Sequence, residues 1–276
     1  MKRVIAILCS VILCAAAASA ELLPANDAGV TVGHLDTNVK DLDAAKKFWS
    51  LLGGKPIKID GVDVMKFPGV LVFLRKGNVT GDTMGTNFDH AGFWVPDGKS
   101  LVGKLRSAGV KMDPTAGSRK QEYKGYSWGN VYSPDGVKVE ILEDSNLSIP
   151  IELDHIHLYG ANGVAETDVQ AWYHKVFDAR LMLDPVPNAG HPVVAGLIAN
   201  VEFKMTAVTD KLVPMNGRAV EHMGFEIKNL AAYCKKLEAN GLKFDNPYSK
   251  GASYASAQLT DPWGTTIELT EGLNKF

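Results

Sequence analysis

Asp89-His90-Ala91-Gly92-Phe93 and Glu221-His222-Met223-Gly224-Phe225 are two versions of one pattern, and the features around them repeat in the same order. Each stretch reads as a short strand, His90–Val95 and His222–Ile227, followed by an amphipathic helix. Further out lie two turn sequences, Ser133-Pro134-Asp135-Gly136 and Asp261-Pro262-Trp263-Gly264, each leading into a last strand that carries a glutamate. Those glutamates, Glu140 in Val139-Glu140-Ile141-Leu142 and Glu268 in Ile267-Glu268-Leu269-Thr270, stand at the same distance past their turn glycines. An acidic residue between apolar neighbours on a strand points to the face opposite them, into whatever the sheet encloses.

Two more strands complete the repeat. His34 opens His34–Val39 and His155 opens His155–Tyr159. Four helices follow by spacing: Leu42, Ala45, Phe48, Trp49 and Leu52 up to Gly53-Gly54; Leu101, Val102, Leu105 and Ala108 up to Gly109; Val169, Trp172, Tyr173, Val176 and Phe177; and Leu230, Tyr233, Cys234 and Leu237 up to Gly241. Apolar positions three and four apart with a terminal glycine are the helix signature. Strand, helix and several strands, four times over, give an α+β chain with two modules, 28–144 and 151–273, divided by the polar stretch that ends at Pro150.

The chain has 276 residues, 46% hydrophobic and 22% charged, with a net charge of −2, which excludes disordered and disulfide-scaffold classes. The even charge balance gives no footprint for nucleic acid. Lys2-Arg3, the apolar run Val4 to Ala17 and Ala18-Ser19-Ala20 read as a secretory signal peptide, 1–20, cleaved after Ala20. The mature form is then periplasmic or secreted, with no membrane span. Cys9 and Cys14 leave with the signal, and Cys234 remains as a buried, inert thiol on a helix face.

Two histidines and one carboxylate converging on a cleft form a metal site with open coordination positions. A set of three that occurs twice at equivalent strand positions is hard to explain as satisfied core residues. Gly125-Tyr126-Ser127-Trp128-Gly129 matches a nucleophile elbow by letter, but a turn and a strand follow it where a helix is required, so a hydrolase is rejected. Counting back from the glutamates pairs Ser127 with Ala255. Tyr123, Tyr126, Trp128, Asn130, His157, Tyr254 and Gln258 are candidate pocket residues, whereas His174 and His191 carry no specific signal.

Taken together, Gly33-His34-Leu35-Asp36 with Phe48-Trp49, Leu153-Asp154-His155-Ile156 with Ala171-Trp172-Tyr173, the two central-strand histidine motifs and the two turn-and-glutamate motifs resemble the vicinal oxygen chelate superfamily. That family includes glyoxalase I, extradiol dioxygenases, fosfomycin and bleomycin resistance proteins and methylmalonyl-CoA epimerase. The resemblance implies four βαβββ units paired into two half-open β-barrel modules that enclose a divalent metal. It implies as ligands His34, His90 and Glu140 in one module, and His155, His222 and Glu268 in the other. Glyoxalase I-like members add a glutamate from the fourth strand of a unit. Glu202 is the candidate there in module two, and Phe73 stands at that place in module one. The tyrosine usual in extradiol dioxygenases is replaced by Asn130 and Gln258.

The reading is therefore an exported metal-dependent enzyme of dioxygenase or lyase/isomerase type, acting on a small molecule chelated through vicinal oxygens. Fe, Mn, Zn and Ni are all compatible with the ligand types. Alternatives are a non-catalytic resistance protein of the bleomycin-binding kind and a glyoxalase I-like lyase. The protein is expected as a monomer or homodimer. The short link between units in module one predicts that each cleft closes within its own module, so that residues 28–148 bind metal alone. Glu202 predicts tighter metal retention in module two.

Overall fold

In the computed structural model, residues 21–121, 125–160, 165–183 and 194–276 are described, so the signal segment, Tyr123 and His191 lie outside the described residues. Four units follow one another. The first is β1 (Val30–Val39), α1 (Leu42–Leu52), β2 (Lys55–Ile59), β3 (Val62–Phe67) and β4 (Val70–Lys76). The second is β5 (Phe88–Val95), α2 (Gly98–Ser107), β6 (Lys120–Gln121), β7 (Tyr126–Tyr132) and β8 (Lys138–Glu143). The third is β9 (Glu152–Gly160), α3 (Glu166–Phe177), β10 (Arg180–Leu183), β11 (Val194–Ile198) and β12 (Val201–Ala207). The fourth is β13 (Val220–Ile227), α4 (Leu230–Ala239), β14 (Asn246–Lys250), β15 (Ala255–Thr260) and β16 (Thr266–Glu271). The α+β architecture of four βαβββ units in two open modules is thus present.

The units pair across the halves of the chain, which corrects the expected pairing within each half. One eight-stranded sheet runs β14-β15-β16-β13-β1-β4-β3-β2 and joins unit four to unit one. The other runs β10-β11-β12-β9-β5-β8-β7-β6 and joins unit three to unit two. At each seam two first strands lie antiparallel, β1 against β13 and β5 against β9. The link after β4, residues 77–87, is long enough to cross between sheets, since an extended chain covers about 3.3–3.6 Å per residue. It is pinned to the link before β13: Thr80 N donates to Gly217 O at 2.8 Å and Ala219 N to Gly81 O at 2.9 Å.

Local chemistry shapes the elements. Asp41 caps α1, its Oδ1 accepting from the amides of Asp43 and Ala44, and Gly53 ends it at φ 114°, a conformation suited to glycine. Phe48, Trp49 and Leu52 bury the apolar face of that helix against the sheet. One hydrophobic core runs between the two sheets: Phe67 of β3 meets Phe93 of β5 at 5.3 Å, and Phe177 of α3 meets Phe225 of β13 at 4.4 Å. Cys234 is buried within it. Among the described residues no helix is long and apolar enough to cross a membrane.

Residues 28–148 made alone lack the seam partner of both β1 and β5, leaving an open edge on each of these long strands. We expect this fragment to aggregate or remain unfolded by gel filtration and circular dichroism, and to recover structure when mixed with residues 149–276. A folded, metal-binding monomer of the fragment alone would refute the cross-paired architecture.

Candidate metal centres

The ladder registers bring the ligands together. Across the first seam His34 lies opposite Gly224, and Gly224 lies beside Glu268 in the parallel pair of β13 with β16. Across the second, His155 lies opposite Gly92, and Gly92 lies beside Glu140. His222 and His90 stand two residues before those glycines and share their face. Each glycine leaves room for the other unit's histidine ring. A Cβ on Gly92 would sit 2.2 Å from His155 Cε1, and one on Gly224 would sit 2.0 Å from His34 Cε1.

The result is two centres, each with ligands from both halves of the chain. At the first, His34 Nε2 and His222 Nε2 lie 3.0 and 3.3 Å from Glu268 Oε2. At the second, His90 Nε2 and His155 Nε2 are 2.9 Å apart and lie 3.3 and 3.5 Å from Glu140 Oε2. The six residues named from sequence are therefore all in ligand groups, but His34 and His155 have exchanged partners relative to the expected sets. Adjacent donors about 2.1 Å from one octahedral ion stand about 3 Å from each other, so these separations fit a divalent cation. At the first centre His34 Nδ1 and His222 Nδ1 have no protein partner.

The second centre is braced where the first is not. Asp89 Oδ2 accepts from His90 Nδ1 at 2.6 Å and Asp154 Oδ2 from His155 Nδ1 at 2.7 Å. Holding Nδ1–H in this way turns each Nε2 lone pair toward the centre. Ser127 Oγ donates to Glu140 Oε1 at 2.6 Å, fixing the carboxylate. The first centre has Gly33 where Asp154 stands, and Glu221 where Asp89 stands. The Glu221 carboxylate is taken by Asn38 Nδ2 at 2.7 Å and Gly217 N at 2.6 Å.

Charge follows the same contacts. Burial pushes Glu140 up, but hydrogen bonds and charge from His90, with His155 and Ser127 adding to them, hold it well below the ordinary carboxylate range. Glu268 is lowered in the same way, burial being outweighed by His222 and His34. Burial lowers His90, but Asp89 and Glu140 outweigh it and raise the ring above the usual histidine value. His155 is lowered by burial and by the nearby Lys204 ammonium. His90 is therefore the more basic ring of the pair.

Other sequence candidates fall in several places. Glu202 stands opposite His155 in the ladder, yet its carboxylate pairs with Lys204 Nζ at 3.3 Å and lies outside the ligand groups formed by the described residues. The register also corrects the repeat alignment: Leu71, opposite His34, matches Glu202, and Phe73 matches Lys204. His157 touches the second centre, its ring 5.0 Å from that of His90, and Nε2 meets Thr206 Oγ1 at 2.8 Å. Tyr254 lies 6.4 Å from Phe73, near the first centre. Tyr126 stacks under Arg119. Asn130 and Gln258 stand opposite the two ligand glutamates, and their amides bond Asp113 and Asn246.

Trp128 does not face the cleft. It is buried in the core against Gly98, because a bulge at Gly129, φ 93°, turns the strand. The same bulge sets Ser127 opposite Leu142, as Ser256 is opposite Thr270, so Ser127 matches Ser256 in space and the count to Ala255 is off by one. Sequence reasoning missed Asp89, Asp154 and Lys204 as site residues, and also the seating role of Gly92 and Gly224. The signal for the glycines was present: a histidine followed two residues later by glycine in both central strands.

A model of the Glyoxalase/Bleomycin resistance protein/Dioxygenase superfamily matches residues 165–269. No curated protein matches the chain in sequence. Among solved structures, glyoxalase I from Zea mays superposes with a TM-score of 0.70 at 16% identity, over 89% of this chain and 94% of that one. A point variant of the same enzyme gives 0.68 at 15% identity, over 90% and 95%.

Alanine at Gly92 should push the His155 ring aside, lowering metal affinity at the second centre at least about tenfold and costing about 1–3 kcal/mol of stability through overpacking. Isothermal titration with Zn(II) and a urea melt measure the two effects. Unchanged binding in Gly92→Ala would show that the histidine does not need this seat.

The fold shared with glyoxalase I and the family-model match over residues 165–269 thus bear out the sequence resemblance to the glyoxalase/bleomycin resistance protein/dioxygenase superfamily.

Proposed function

We propose that the chain is an exported, metal-dependent enzyme that acts on a small molecule bound through two neighbouring oxygens, with isomerase/lyase or dioxygenase chemistry. The observation that carries this reading is the second centre, where His90, His155 and Glu140 aim their donor atoms at one point and Asp89, Asp154 and Ser127 hold them there. Three protein ligands leave coordination positions for substrate oxygens. A bound divalent ion supplies Lewis-acid stabilisation of negative charge that develops on such an oxygen.

The chain's own residues supply the orientation. The two aspartates fix the ring planes, and the burial of His155 keeps water from one side. Such bracing favours a catalytic centre over a sequestering pocket, since a pocket that only encloses its ligand does not require buried carboxylates behind both histidines. Fe(II) or Mn(II) suits oxygen chemistry, and Zn(II) or Ni(II) suits proton transfer beside a carbonyl. Export rests on the N-terminal segment 1–20 and places the substrate outside the cytoplasm.

Metal analysis of the untagged chain should find close to two ions per chain. His90→Ala should remove one and His222→Ala the other, with the circular dichroism spectrum retained. Asp89→Asn should hasten loss of metal to a chelator at the second centre by about 10–100-fold, the usual effect of removing a carboxylate behind a ligand histidine. Metal content unchanged in the His90→Ala, His222→Ala double variant would overturn the assignment.

A further inference from the structure

The two centres differ in charge as well as in bracing. On β4 the residues facing the cleft include Phe73 and Arg75, and the Arg75 guanidinium ends beside the first centre. Its Nε donates to Asp36 Oδ2 at 2.5 Å, and it lies 5.4 Å from the centre of the Phe73 ring, which itself meets the Tyr254 ring at 6.4 Å. Asp36 is fully buried, its Oδ2 is 3.9 Å from His222 Nε2, and its Oδ1 has no protein partner. A guanidinium carries five N–H donors, more than these contacts use. The Arg75 side chain is 40% exposed, so it stands at the mouth of the centre.

The second centre has no such group at this place. There Thr206 takes the equivalent ladder position and bonds His157. Its two lysines are committed: Lys138 Nζ to both oxygens of Asp89 at 3.1 and 3.2 Å, and Lys204 to Glu202. A divalent ion at the second centre would therefore be matched by Glu140 and Asp154. At the first centre Arg75 already answers Asp36, so Glu268 alone would face the ion and one positive charge would be left over.

Building on the metal-centre reading above, we propose that the first centre binds a small monoanion, an α-hydroxy carboxylate. Its carboxylate meets the surplus charge and the outer N–H groups of Arg75, and its hydroxyl donates to the unpartnered Asp36 Oδ1. The two centres then select ligands of different charge, and Arg75 determines specificity at the first. Planar, forked recognition of a carboxylate is the usual task of an arginine.

The test uses the full chain carrying His90→Ala, which removes the ligand shared by the two groups around the second centre, His90–Glu140–His155 and Asp89–His90–His157. It is loaded with Mn(II) and titrated with lactate and with its neutral amide while the Mn(II) electron paramagnetic resonance spectrum is followed. Lactate should bind at least about tenfold more tightly than lactamide, a difference of about 1.4 kcal/mol. Adding Asp36→Asn with Arg75→Gln keeps the net charge but removes the fork, and should lower the ratio at least about threefold, the remaining preference coming from the charge alone, with Mn(II) stoichiometry unchanged. If that variant loses Mn(II), Arg75→Lys is read instead, and should lower the ratio partway. No preference for lactate in the parent, or an unchanged ratio in the variants, overturns the inference while leaving the metal centre standing. Failure of the parent to bind Mn(II) overturns the metal reading itself.

Discussion

The absence of a side chain at Gly92 and Gly224 is the constraint on which both centres depend. Each glycine lies at the crossing of three strands, opposite the histidine of a first strand and beside the glutamate of a last strand. The facing imidazole packs so closely over the backbone that any Cβ would overlap it. Ladder irregularities flank these positions, between Val32 and His34 and between Gly92 and Phe93, and adjust the twist where the rings must fit. The glycine thus fixes how deep each histidine sits, and so where a metal's ligands converge. Loss of backbone entropy at glycine is the penalty accepted for this close approach.

Much of this was legible from residues alone, because the repeat is carried by short patterns. A histidine in a first strand, a histidine before glycine in the next, and a glutamate past a turn recur in both halves, although β1 and β9 begin four and three residues before His34 and His155, which the sequence alone places at the strand starts. What was not legible is which first strands meet. His34 can complete a set with His90 and Glu140 or with His222 and Glu268 equally well by residue type, and the choice lies in the pairing of β1 with β13, far apart in sequence. Faces around a bulge are hidden for a similar reason. One added residue at Gly129 moves Trp128 into the core and shifts Ser127 by one position against its counterpart. The offset of Phe73 from Leu71 is a two-residue error, which keeps the face and changes only the neighbour.

The divergence of the centres follows from single positions next to the ligands. Asp154 against Gly33 decides whether the first-strand histidine has a carboxylate behind it. At Asp89 and Glu221 both side chains are acidic, but the longer Glu221 is drawn away to Asn38, Asn216 and the Gly217 amide. The second centre gains orientation and ligand basicity, and buries more negative charge, which two lysines offset. The first centre keeps unbraced rings and a guanidinium at its mouth. Tight holding of an ion and affinity for an anion pull in opposite electrostatic directions, because each added carboxylate strengthens the first and weakens the second. A duplicated site allows the two properties to be placed in separate centres.

Cross-pairing also couples metal to the fold in a way that pairing within each half would not. The N-terminal half supplies one ligand to the first centre and two to the second, and the C-terminal half supplies the reverse. Separating the halves therefore dismantles both centres at once, and an ion bound at either centre opposes that separation. By mass action, an ion present at 100 times its dissociation constant adds about 2.7 kcal/mol to the stability of the paired state, and two independent centres add twice that. The seam strands β1 with β13 and β5 with β9 contain four of the six ligands, so this stabilisation acts on the contacts that define the architecture. An ion held between the two halves would act as a cross-link, and unfolding of the loaded chain should be more cooperative than that of the metal-free chain.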